Sequence, residues 1–152
     1  MGLLNSLKGS RIYLDSNIWI YFLSGLNEYS QLLTDLFTAA DSGSLMLITS
    51  ELTIAEILVR PIREENAARR EVCLAAMTNT DSSTAVPVDR SILVSAAEIR
   101  ASTKLKLPNA IHAATAIATE CTTFLTNDSQ FQTLPRLNVT LLSKVLEEPD
   151  SG

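Results

Sequence analysis

Arg11-Ile12-Tyr13-Leu14-Asp15-Ser16-Asn17 opens with a short β-type apolar run and stops it abruptly on a polar triplet led by an acid. The same design returns at Thr123-Phe124-Leu125-Thr126-Asn127-Asp128. Continuous apolar strand cores, rather than alternating ones, belong to strands covered on both faces, as in a parallel sheet with helices above and below. In such sheets ligands bind beyond the carboxyl ends of the strands. Both aspartates stand at such an end.

Working outward from the first run, Ile18–Leu23 resumes apolar character as a first helix, and Glu28–Ala40 reads as a second, with Leu32, Leu33, Leu36 and Phe37 at helical spacing. Asp41-Ser42-Gly43 stops it. Leu45–Thr49 is a buried strand. Ser50 is placed to cap the next helix, which runs to Arg60-Pro61 with Glu51 in its first turn. Arg63–Met77 reads as one further helix and residues 78–84 as a polar loop. Ala85–Val88 is a third strand, Arg90–Thr103 a helix, and Leu107-Pro108-Asn109 opens another that continues to Glu120, with proline where a missing N–H does no harm. Thr123–Thr126 and Val139–Leu142 complete five strands. The fold class is therefore α/β, one domain over residues 1–152 with its core at about 11–143 and a frayed tail over 144–152.

The 152 residues suit a single domain. At 46% hydrophobic and 19% charged, the chain is too apolar to be disordered. No apolar run approaches the roughly 20 residues of a membrane span. Met1 to Arg11 has no apolar stretch of the kind a secretory signal needs, although Met1–Ser6 fits the loose myristoylation pattern. Cys73 and Cys121 lie in apolar stretches with no metal or redox spacing, so both read as buried, reduced thiols of a cytoplasmic protein. One histidine in the chain argues against His-rich metal sites and most His-based triads. With 12 Lys plus Arg against 17 Asp plus Glu, the formal net charge is −5, which opposes passive, non-specific binding to nucleic acid.

Glu56 is the odd acid. It shares a helix with Leu52, Ile54, Ala55, Ile57, Leu58 and Val59, and a glutamate is seldom buried without a partner. With Asp15 and Asp128 it would stand near one edge of the sheet. Clustered carboxylates repel unless a cation sits between them, and oxygen ligands without His or Cys favour Mg²⁺ or Mn²⁺. Each residue also has a structural reading. Asp15 and Asp128 suit helix N-caps, and Glu56 could pair with Arg60 at i+4. Glu51 is explained by the helix dipole and stays outside the site.

Leu-Asp15-Ser16-Asn17-Ile, Thr-Ile-Ala-Glu56-Ile-Leu, Leu-Pro108-Asn109-Ala-Ile-His112-Ala-Ala and Phe-Leu-Thr126-Asn127-Asp128 together resemble the four successive motifs of PIN domains. The resemblance is closest to VapC-type toxins of toxin–antitoxin pairs and spans about Ile12 to Leu142. It implies a Mg²⁺- or Mn²⁺-dependent endoribonuclease whose metal and catalytic positions are Asp15, Glu56, Asn109 and Asp128. It also implies an antitoxin that occludes the site, an RNA substrate and a homodimer. Asn109 departs from the family, which usually carries aspartate after Leu-Pro. An amide oxygen still coordinates a cation, but one compensating charge is lost. Such a chain is either a naturally weakened member or one deliberately inactivated. Asn109 is also an acceptable residue at a helix start.

A bound cation would lower the pKa of an attacking water and offset charge on the phosphate, with Glu56 completing the cage or orienting that water. Ser16 and Thr126 hydroxyls are candidate supports for the carboxylates, against simple turn hydrogen bonding. Arg60, Arg63, Lys104 and Lys106 are candidates for steering phosphates. His112, on the same helix face as Asn109, reads first as a structural residue. Trp19 and Phe22 read as core or partner contacts. Two other functions compete: a catalytically inactive PIN-like binding module, and a receiver-like Mg²⁺-binding signalling domain with Asp89 at the end of its third strand.

Overall fold

A computed structural model describes residues 10–25 and 27–147. The myristoylation-like pattern at 1–6 and residues 148–152 lie outside them. Five strands, β1 (Arg11–Leu14), β2 (Met46–Ser50), β3 (Ser83–Val86), β4 (Thr123–Thr126) and β5 (Val139–Leu141), form one sheet in the order β3-β2-β1-β4-β5. All four pairings are parallel. Tyr13 lies opposite Ile48 on one side and Phe124 on the other. The α/β class and the covered parallel sheet read from the sequence are those observed.

Among the described residues, seven helices surround the sheet: α1 (Ser16–Ser24), α2 (Ser30–Asp41), α3 (Leu52–Arg63), α4 (Ala67–Ala76), α5 (Arg90–Ser102), α6 (Leu107–Ala118) and α7 (Leu142–Glu147). Alternation along each strand divides the core into two. Ile12, Leu14, Leu47 and Leu125 pack with Ile18, Trp19, Leu33, Leu36 and Ile57. Tyr13, Ile48 and Phe124 face the opposite way, against Ile92, Ala96, Ile99 and the alanines of α6. Those alanines, Ala110, Ala113, Ala114 and Ala116, are almost wholly buried. Small side chains let α6 lie close to both the sheet and α5.

Several expectations shift. The helix expected over Arg63–Met77 is broken: α3 ends at Arg63, Glu65 takes a left-handed φ of 53°, and Asn66 starts α4 by accepting a hydrogen bond from the Arg69 N–H. Pro61 does not end α3 but sits buried in its last turn, where one lost N–H costs little continuity. Strand β3 begins at Ser83 rather than Ala85. The tail expected from 144 is helix α7 as far as Glu147. Cys73 is buried as expected, but Cys121 is only half-buried, with its Sγ 3.3 Å from Thr119 Oγ1.

The strand order also removes one competing function. A receiver has the order 2-1-3-4-5, with its third strand beside the first; here β3 is at the edge, beyond β2. Asp89 caps α5, its Oδ1 accepting from the Ile92 N–H at 2.9 Å.

Candidate active site

The chain builds outward from β1 through β2 to β3, then returns to the other side of β1 to place β4. Strand order therefore reverses between β1 and β4, the point at which open parallel sheets form a crevice at their carboxyl ends. Asp15 follows β1 and Asp128 follows β4 by two residues. The sheet ladder reaches one step further at Asp15, whose N–H donates to Leu125 O.

Asp15 is only 3% exposed. Its Oδ1 accepts from the Ser16 N–H at 2.8 Å and its Oδ2 from Thr126 Oγ1 at 2.7 Å. Burial raises its carboxyl above the usual range, while His112, Thr126 and the Ser16 N–H pull it back. Thr126 Oγ1 also accepts from the Asp128 N–H at 3.0 Å, so one hydroxyl ties the two motif ends together. Asp128 divides its oxygens: Oδ1 accepts from the Gln130 N–H at 2.9 Å, and Oδ2 from Asn109 Nδ2 at 3.1 Å. Both aspartates thus cap the segment that follows them. The capping reading of both residues is the one observed.

Glu56 reaches the same edge from α3, but not through Arg60, which pairs with Glu64 at 3.2 Å. Glu56 Oε1 lies 2.6 Å from His112 Nε2, and the same nitrogen is 3.8 Å from Asp15 Oδ1. His112 is fully buried, and its Nδ1 lies 2.6 Å from the Tyr13 hydroxyl. Tyr13 in turn stacks on Phe124, ring centroids 4.9 Å apart and planes within 7°. Burial drives the Tyr13 phenol well above its ordinary pKa, so it stays protonated. Sequence reasoning treated His112 as structural and Tyr13 only as a strand residue. The structure places His112 against both acids and Tyr13 behind it. Ser16 meets Asp15 through its backbone N–H, not its hydroxyl.

Beside Glu56 opens a cleft of about 340 Å³ whose walls include Ile20, Leu23, Arg60 and Arg69. Arg69 bridges back to the Leu23 carbonyl. Arg63, Lys104 and Lys106 are exposed. Trp19 is buried in the core, and Phe22 stacks on Phe37 at 3.9 Å, so both act as packing residues.

The PIN-domain family model matches residues 12–137. The chain belongs to that family. Its PIN fold is shared with VapBC2 from Rickettsia felis, solved bound to a DNA fragment from their promoter, at a TM-score of 0.68 and 17% identity over 86% of this chain and 98% of that one. It is shared with a toxin–antitoxin complex from Klebsiella pneumoniae, at a TM-score of 0.61 and 22% identity, over 86% and 97% of the two chains. DNA-bound VapBC from Salmonella typhimurium follows at a TM-score of 0.62 and 15% identity, over 88% and 98%. No curated protein is detectably similar to this sequence.

For this PIN chain the fit of a divalent cation is testable on its own geometry. Among the described residues, no group of three or more Asp, Glu, His or Cys side chains is arranged to hold a metal ion. There are instead two pairs, Asp15 with Glu56 through His112, and Asp128 with Asn109, linked through Thr126. The donor chemistry does fit. Asp15 is a buried carboxylate, and the only basic group paired with it or with Glu56 among the described residues is a histidine. A hard divalent cation would balance that charge through oxygen donors. No helix of the described residues is long and apolar enough to cross a membrane.

Proposed function

We propose that this PIN chain is the toxin of a type II toxin–antitoxin pair: an endoribonuclease dependent on Mg²⁺ or Mn²⁺, with cleavage weakened or abolished by asparagine at position 109. The observation that carries the reading is the buried carboxylate of Asp15 at the β1/β4 reversal, with Glu56 and Asp128 drawn to the same edge. The neighbouring folds belong to toxin–antitoxin complexes, which supports an antitoxin partner here. The reading also includes a homodimer.

Asp15, Glu56 and Asp128 would hold the cation, with Asn109 offering an amide oxygen. When bound, that ion lowers the pKa of a water and offsets charge that builds on the scissile phosphate. The chain's own residues do the rest. Thr126 holds the Asp15 carboxylate in place from β4. Asp128 is fixed by the Gln130 N–H and by Asn109. The net charge of −5 does not oppose RNA in this reading, since three of the 17 acids are the site itself. Affinity then comes from the cation and a few placed Lys and Arg rather than from bulk charge.

The Asn109–Asp128 hydrogen bond favours a second reading, a PIN module that binds its partner without cutting. One experiment separates the two. Asn109→Asp is assayed for cleavage of varied RNAs with Mg²⁺ or Mn²⁺, and for growth arrest on expression. Metal-dependent cleavage gained by the variant supports the nuclease. No cleavage by the variant on any RNA leaves the binding module.

A further inference from the structure

One structural unit crosses the molecule at this edge: Tyr13 on β1, His112 on α6 and Glu56 on α3 join three separate elements by two hydrogen bonds of 2.6 Å each. The middle residue is fully buried, so it cannot meet a nucleic acid directly. With Glu56 ionised and the imidazole neutral, the two hydrogen bonds admit one arrangement of protons. An ionised glutamate is acceptor-only, so Nε2 of the imidazole must carry the proton it shares with Oε1. A neutral imidazole then leaves Nδ1 as an acceptor, and the Tyr13 hydroxyl donates to it.

We propose that His112 is a positioning residue: held as its Nε2–H form by Tyr13, it fixes the Glu56 carboxylate beside Asp15 and leaves Oε2 as the oxygen for a cation. Without it, Glu56 is a half-exposed side chain on a helix, with Arg60 and Arg63 one and two turns further on. With it, one carboxylate oxygen is committed and the rotamer is set by two packed elements on the far side. Outer partners that fix a ligand's orientation commonly change metal affinity 10–100-fold when removed. This inference rests on the metal-dependent reading given above.

The chain has one histidine, so its ring nitrogens can be observed without assignment. Long-range ¹H–¹⁵N correlation of the labelled protein is expected to show a protonated Nε2 and an unprotonated Nδ1. Tyr13→Phe keeps the ring stacked on Phe124 and removes only the hydroxyl. It is expected to mix the two tautomers and to weaken Mn²⁺ binding about tenfold, measured by electron paramagnetic resonance in the Asn109→Asp background. His112→Ala should lose at least as much. His112→Gln, which restores an N–H donor facing Glu56, should recover most of it. Ile48→Val trims the same apolar cluster without touching the hydrogen bonds and should leave Mn²⁺ affinity unchanged. An Nδ1–H tautomer or a doubly protonated ring overturns the inference, as does Mn²⁺ binding indifferent to both Tyr13→Phe and His112→Ala. If neither this chain nor Asn109→Asp binds Mn²⁺ while the Nε2–H form is present, the metal-dependent reading falls and the positioning of Glu56 stands.

Discussion

Asn109 Nδ2 donates a hydrogen bond of 3.1 Å to Asp128 Oδ2. An aspartate at 109 would set two carboxylates at that distance, repelling each other in place of a bond. The amide therefore steadies the metal-free site at the cost of one charge that a cation would use.

Asn109→Asp should lower stability in EDTA by about 1.5 kcal/mol, the usual worth of a hydrogen bond to a charged group. Saturating Mn²⁺ should restore it, and should raise the variant's urea midpoint more than the parent's. Equal midpoint shifts in the two proteins would contradict a metal role for position 109.

Asp15→Asn should stabilise the metal-free protein. Burial holds the folded carboxyl above its unfolded pKa. A carboxyl raised in this way contributes stability that is present below the unfolded pKa and lost as pH rises through the folded one. Near neutrality its charge weighs on the fold, so removing it should gain about 1 kcal/mol, or ~3 °C in Tm. The gain should vanish below about pH 4. Thermal melts by circular dichroism across that range, in EDTA, check the sign; a gain independent of pH would assign the effect to packing instead.

Thr126→Val removes the donor to Asp15 and the acceptor for the Asp128 N–H in one step. The expected cost is about 1–3 kcal/mol, because a buried carboxylate is left short of a partner. Thr126→Ser should restore most of the loss. Carboxyl ¹³C titration should find Asp15 shifted further upward in the valine variant.

Phe131 is fully buried, with its ring 4.5 Å from that of Phe124, in the short 3₁₀ helix that Asp128 caps. Phe131→Ala should cost about 3–5 kcal/mol, enough to threaten folding of a domain of ordinary stability. Phe131→Leu should fold and retain most of the stability, which chemical denaturation would measure.

Much of the frame was readable because strands β1 and β4 are unbroken apolar runs ended by an acid, and parallel topology then places their ends together. The break between α3 and α4 was hidden because Glu64-Glu65-Asn66 contains neither glycine nor proline, although Asn66 is a good capping residue. Glu56 was recognised as unusual from its apolar neighbours, but its spacing to Arg60 suggested a local partner. The actual partner, His112, is 56 residues away. Tyr13 and His112 are 99 residues apart. Nothing local in sequence encodes such a meeting, which arises only when β1, α3 and α6 converge at the sheet's carboxyl edge. Ser16 and Thr126 hydroxyls were both candidate supports for the carboxylates, against simple turn hydrogen bonding; only that of Thr126 meets Asp15, and it also makes the turn bond to the Asp128 N–H.

The alanine face of α6 has a consequence for what can change in this protein. A helix seated on methyl groups is placed by its backbone, and the residue at its mouth is delivered to one location whatever its chemistry. Position 109 can therefore gain or lose a charge while the outline around it stays the same. In the toxin reading proposed above, a partner that recognises that outline would hold an asparagine copy and an aspartate copy alike.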